Sequence, residues 1–99
     1  MIIYEITTIV KHELIEAYEK YMRERHIPDL LKTGSFRSAK FTRSGINRYR
    51  IQYEAFDQKS LDEYIENNAN RLREDFLQHF PEGIEIMREN WKVLQAWEK

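Results

Sequence analysis

The stretch NRYRIQYEAF, Asn47 to Phe56, decides the fold. Tyr49, Ile51, Tyr53 and Ala55 fall on one face of an extended segment, while Arg48, Arg50, Gln52 and Glu54 fall on the other. Period-two alternation in residues that suit a pleated surface reads as a half-buried strand. The apolar face needs a cover, and the charged face needs water or a partner. The strand spans Ile46 to Phe56 and pairs with Phe36 to Arg43 as a hairpin, turning at Ser44-Gly45 with Ile46 or Asn47.

Upstream, Ile2 to Val10 also alternates. Ile2, Tyr4, Ile6 and Thr8 share one face, and Ile3, Glu5, Thr7 and Ile9 the other. From His12 the period lengthens: Leu14, Ala17, Tyr18, Tyr21, Met22 and Arg25 follow helical spacing among charged neighbours. Pro28 lacks an N–H and restricts Ile27, so this helix is expected to end near Arg25 or His26. Pro28 then starts a short second helical piece that stops at Gly34. A kinked continuation is the alternative.

Downstream, Asp57 suits a helix N-cap with Ser60 at N3. Leu61, Tyr64, Ile65, Ala69, Leu72, Phe76 and Phe80 form a helical stripe, with a break expected at Asn67, Asn68 and Asn70. After Pro81-Glu82-Gly83, Ile84 to about Leu94 reads as a last strand whose alternation slips near Glu89-Asn90, as a bulge would make it. A final helix over Glu89 to Lys99 is the competing reading. The order β-α-β-β-α-β predicts an α+β, ferredoxin-like fold: a four-stranded antiparallel sheet with helices on one face. Residues 1–99 are expected to form one domain.

Composition removes several classes of function. No apolar run approaches the roughly 20 residues of a membrane span. The first residues show no signal-peptide pattern, so a cytoplasmic location is expected. Without cysteine, thiolate nucleophiles and Cys-based zinc sites are excluded. His12, His26 and His79 offer no i, i+4 pair for a metal. Three glycines cannot build a phosphate loop, and no serine lies in a nucleophile elbow. No metal and no cofactor is therefore expected.

A pocket between sheet and helices is the remaining place for chemistry. Tyr18, Tyr21, Tyr53, Tyr64 and Arg88 can line it, and Arg88 is in phase with the inward Ile84 and Ile86. With His26 they would hold a small anionic or phenolic ligand. The favoured reading is structural: Arg88 satisfied by a carboxylate or by carbonyls, and His26 capping carbonyls at a helix end rather than turning inward toward Tyr53 and Arg88.

The open sheet face, with its arginines and glutamates, suits pairing with a second copy across a two-fold axis. RNA-recognition motifs share this element order, but here Arg48 and Arg50 occupy the face where such motifs place aromatics. The formal net charge is −1, which also argues against nucleic acid.

His26-Ile27-Pro28, Thr33-Gly34-Ser35-Phe36 and Tyr49-Arg50-Ile51-Gln52-Tyr53, with Leu72-Arg73 and Arg88, make the whole chain resemble a small bacterial family described as a domain of unknown function. The resemblance implies the dimeric α/β-barrel type of ferredoxin-like fold and no particular activity. More loosely, that fold is similar to antibiotic-biosynthesis-type monooxygenases. Those are dimers with a pocket between sheet and helices, and some oxidise phenols without a cofactor. Their catalytic residues do not map onto this chain. The expectation is a homodimeric, non-catalytic binding or structural module. The alternatives are a pocketed, cofactor-independent enzyme for a small aromatic or anionic ligand, and an RNA-binding module.

Overall fold

The computed structural model describes all 99 residues. Four strands, β1 (Ile2–Val10), β2 (Phe36–Ser44), β3 (Arg48–Ala55) and β4 (Ile84–Lys92), form one antiparallel sheet in the order β2-β3-β1-β4. Helical segments α1 (Ile15–Tyr21), α2 (Ile27–Lys32), α3 (Gln58–Asn67) and α4 (Ala69–His79) make the connections. This is the ferredoxin-like α+β arrangement.

The Tyr49–Ala55 alternation sets the layers. Tyr49, Ile51, Tyr53 and Ala55 are all buried, opposite Thr8, Ile6, Tyr4 and Ile2 of β1. Tyr18 and Tyr21 from α1, Leu61 and Tyr64 from α3, and Leu72 and Phe76 from α4 close over them. The result is an aromatic core, with Tyr18 and Tyr49 ring centroids 4.9 Å apart and Phe36 and Tyr64 5.0 Å apart. Asp57 caps α3, its carboxylate accepting from the Ser60 N–H at 2.7 Å. The asparagine cluster does interrupt the second helix, at Asn68 between α3 and α4. The stripe is imperfect, because Ile65 points outward.

Four local expectations need correction. First, the opening helix does not end at Arg25 or His26. Met22–His26 continues it as a π-helical segment, with the Ile27 N–H bonded to the Met22 carbonyl, and leads directly into α2. A regular α-helical path would set the Pro28 ring against the Glu24 carbonyl, and the π-helical turn departs from that path. Second, Arg25, expected on the apolar stripe, faces outward as a result. Third, β4 pairs with β1 without a shift from Ile84 to Lys92. The irregularity lies in β2, between Phe36 and Ser38. It lets Phe36 and Ala39, three apart, both pack inward. Fourth, the last strand ends at Lys92 rather than near Leu94, and the competing helix over Glu89 to Lys99 does not form.

Candidate functional site

A cavity of about 30 Å³ lies between the inner sheet face and the helices. That is room for about two waters. Ile6, Ile51, Ile86, Met22, Leu30 and Phe76 give it apolar walls. His26, Tyr18, Tyr53, Tyr64 and Arg88, singled out from sequence, all line it, and Tyr4, Thr8 and Arg73 join them. Tyr21 stands behind His26 rather than on the wall.

The strands and helices place these groups for local reasons. Tyr53 sits on the inward phase of β3, opposite Tyr4 of β1. Arg88 sits on the inward phase of β4, opposite Ile6, but its side chain is exposed. The cavity therefore reaches the surface at Arg88. Arg73 comes from α4, and its Nη2 donates to the Tyr4 hydroxyl at 3.1 Å. Its Nε is buried and has no protein partner.

His26 does not cap carbonyls as expected. The π-helical segment that replaces a helix end carries it inward, over Phe76, with ring centroids 5.5 Å apart. Its Nδ1 lies 3.5 Å from the Tyr21 hydroxyl, which donates to Asp75 Oδ2 at 2.7 Å. Arg25 holds the same carboxylate from outside, at 2.6 and 3.0 Å. Arg88 likewise departs from expectation, since it makes no ion pair or hydrogen bond with a carboxylate or a carbonyl.

The electrostatics have one sign. No Asp or Glu lines the cavity, whereas Arg73 and Arg88 both do. Burial pushes the His26 imidazole down to about 4, against the opposing pull of Asp75 and Asp29 and with a smaller push from Arg88 in the same direction. His26 is thus neutral at pH 7. Burial pushes the Tyr53 and Tyr64 phenols up, so both remain protonated donors. Neither hydroxyl has a hydrogen-bond partner within the chain, while the Tyr18 hydroxyl is satisfied by Thr8 at 2.7 Å. Such a site offers neutral donors, one neutral imidazole and two guanidiniums to whatever enters.

In the sequence, Arg73 stands out only as part of the family pattern. Its direction is set by the break at Asn68, which resets the helical phase between α3 and α4. The Tyr21–Asp75 contact joins separate elements and leaves no signal in spacing.

The outer sheet face is chemically distinct. Glu5 accepts from Gln52 Nε2 at 3.0 Å and from the Trp91 indole at 3.0 Å, and pairs with Arg50 at 3.4 Å. Arg37 pairs with Glu54, and Arg43 pairs with Glu19 at the β2–α1 side. Arg37, Arg43 and Arg50 of the hairpin are thus each matched by a carboxylate. Ile9, Met87 and Trp91 are the exposed apolar points of the face. No helix is long and apolar enough to cross a membrane, and no group of three or more His, Asp and Glu side chains is placed to hold a metal.

Comparison with known proteins places this geometry in a family and a fold. The sequence pattern of a family described as "Domain of unknown function (DUF4286)" matches residues 1–94. No curated protein matches the sequence. Among solved structures, the chain is similar to SnoaB, a cofactor-independent oxygenase from Streptomyces nogalater. The TM-score is 0.76 at 10% identity, covering 99% of this chain and 98% of that one. It is also similar to an ethyl tert-butyl ether d (ethd) family protein from Bacillus halodurans, with a TM-score of 0.68 at 16% identity over 90% and 97% of the two chains. A dimeric ferredoxin-like protein from an uncultured marine organism gives a TM-score of 0.65 at 17% identity over 97% and 98%. At these identities the likeness is one of fold.

Proposed function

This chain belongs to the DUF4286 family, a domain of unknown function, and we propose from its cavity that it is a binding module for a small organic anion with an aromatic or apolar body. The observation that carries this reading is the pair of guanidiniums, Arg73 and Arg88, at a cavity lined by no carboxylate. A buried Arg73 Nε without a partner costs free energy until an acceptor arrives. The free Tyr53 and Tyr64 hydroxyls supply further donors, and the apolar walls suit a ring. A ligand larger than the cavity enters by displacing the exposed Arg88 side chain, which then closes on it as a counter-ion.

The module acts as a homodimer through the open sheet face. Met87 is 69% and Trp91 49% exposed there, beside the Glu5 and Arg50 charges that a two-fold axis would set against their copies. The likeness to a dimeric ferredoxin-like protein supports this pairing.

Thermal denaturation with benzoates, phenols, quinones and haem tests the binding reading. A benzoate or phenol is expected to raise Tm, and Arg88→Ala to weaken the effect about tenfold in apparent affinity, which is the ~1.4 kcal/mol of one lost charge-assisted contact. A Tm unmoved by every compound would overturn it.

A second reading, an enzyme acting on phenols, is favoured by one observation: the neutral His26 imidazole lines the same cavity. The likeness to a cofactor-independent oxygenase adds support at the level of fold. Oxygen consumption with a dihydroxynaphthalene, the phenol as reductant and O₂ as oxidant, tests it. A rate equal to that without protein would count against catalysis.

A further inference from the structure

We propose that His26 is the proton acceptor of this cavity. A weakly acidic ligand of the phenol class enters neutral and is held as its anion between His26, Arg73 and Arg88. This rests on the reading of the cavity as an anion site and names the ligand class that His26 adds to it. In the step, the ligand O–H bond breaks and an N–H bond forms on His26 Nε2. The products are an imidazolium and a phenolate, so charge balances and no oxidant is needed.

The geometry around His26 fixes which nitrogen is free. Tyr21 commits its own proton to Asp75 Oδ2, at 2.7 Å. Its oxygen therefore faces His26 Nδ1, 3.5 Å away, as an acceptor. The favourable tautomer carries its proton on Nδ1 and leaves Nε2 with a lone pair. Arg25 clamps Asp75 at 2.6 Å from the solvent side, so Asp75 stays ionised and Tyr21 stays oriented. Tyr21 and Asp75 are positioning residues, while His26 itself touches the ligand.

The surrounding charges suit a proton that arrives with its anion. Asp75 from α4 and Asp29 from α2 favour an imidazolium, and Arg88 from β4 opposes it. Arg25, beside Asp75, and His79, whose ring lies 4.5 Å from that of Tyr21, complete the ionisable groups nearby. Without ligand, burial and Arg88 keep His26 neutral. A phenolate placed against Arg88 offsets that smaller repulsion and sets an anion beside the imidazolium, a charge pair that works against the burial cost, so transfer is more favourable with the cavity filled than empty.

The test uses 4-nitrophenol, whose anion absorbs in the visible, and 4-nitrobenzoate, which has no proton to give at the working pH. The full chain is titrated with each at a pH about one unit below the point where free 4-nitrophenol ionises. Bound 4-nitrophenol is expected to show the anion band. In His26→Asn the ionised fraction of the bound ligand should fall at least tenfold, and in Tyr21→Phe by a smaller factor. If neither probe binds, the anion-site reading fails and this inference falls with it. If 4-nitrobenzoate binds but bound 4-nitrophenol keeps the neutral spectrum, the proton acceptor is overturned and the anion site stands. The proton acceptor is overturned in the same way if His26→Asn binds 4-nitrophenol with the anion band intact. Should His26→Asn not fold, the wild-type spectrum together with Tyr21→Phe decides: an unchanged ionised fraction in Tyr21→Phe would overturn the orienting role.

Discussion

Tyr21 and Asp75 are 54 positions apart in sequence, and the Tyr21 hydroxyl donates to the Asp75 carboxylate at 2.7 Å. This contact ties α1 to α4 directly behind His26. Both partners are shifted by the environment that makes the contact strong. The Tyr21 phenol is pushed up, by burial first and then by Asp75, and Asp75 is held low, first by the Tyr21 hydrogen bond and then by Arg25.

Asp75→Ala should therefore destabilise the fold by about 2 kcal/mol, the usual worth of a part-buried hydrogen bond to a charged group. Arg25→Ala should cost clearly less, because its guanidinium is exposed and such pairs are screened. Urea denaturation of the two variants measures the difference. Equal losses would mean that the outer ion pair, not the Tyr21 bond, fixes α4.

Acid should weaken the protein in two stages. His26 titrates at about 4 in the fold against an ordinary 6.5. Below about 6.5 the unfolded chain binds a proton that the folded chain refuses. Stability is thus complete above that pH and is lost as pH falls toward 4, by up to about 3 kcal/mol. Asp75 and Glu19 are held low in the fold, so their contribution is present above the ordinary carboxylate range and is lost at still lower pH. Stability measured at intervals from pH 7 to 4 should fall in the wild type and stay nearly flat in His26→Asn. Parallel curves would show that another group titrates.

Two tyrosines of the inner layer should respond differently to loss of a hydroxyl. Tyr18→Phe removes the 2.7 Å partner of buried Thr8 and should cost about 1 kcal/mol. Tyr53→Phe removes a hydroxyl that no protein group satisfies, so stability should change by less than about 0.5 kcal/mol. It should instead weaken binding of a benzoate or phenol. Denaturation combined with a ligand titration of Tyr53→Phe checks both halves.

Gly83 is the glycine whose replacement should cost most. It has φ +90°, and an added Cβ would lie 2.6 Å from Leu14 Cδ1. Its carbonyl also accepts from the Lys11 N–H at 2.9 Å, tying the start of β4 to the end of β1. Gly83→Ala should lose about 2 kcal/mol through strain and displacement of Leu14. Gly45, at φ +66° with open space around it, should tolerate asparagine at a cost of roughly 0.5 kcal/mol. Thermal melts of the pair rank them.

The outer face gives a test of assembly. Met87→Glu puts a charge among Ile9, Trp91 and their copies, and should convert a dimer to a monomer in sedimentation while leaving the far-ultraviolet circular dichroism unchanged. A wild type that sediments as a monomer at every concentration would remove the open face as a self-association surface.

Alternation in Asn47–Phe56 and Ile2–Val10 is enough to assign two strands and their faces, because a strand's period fixes which side chains share a face whatever lies above them, and the helical stripes and remaining strands complete the ferredoxin-like order. The same rule puts Tyr53 and Arg88 on the inner side. Asp57 and Ser60 announce their helix because a cap is a contact between residues three apart. The path around Pro28 is not legible in this way. A widened helical turn and a helix end satisfy the same local sequence, and packing of Tyr21 against Phe76 and Phe80, with Met22 buried in the core, selects the former. That choice turns His26 from a helix cap into a wall of the cavity. The Tyr21–Asp75 bond, the guanidiniums of Arg73 and Arg88 at a cavity without a carboxylate, and the bulge after Phe36 depend on which elements meet across the core. Only tertiary structure decides such meetings, since they join residues that no local period relates.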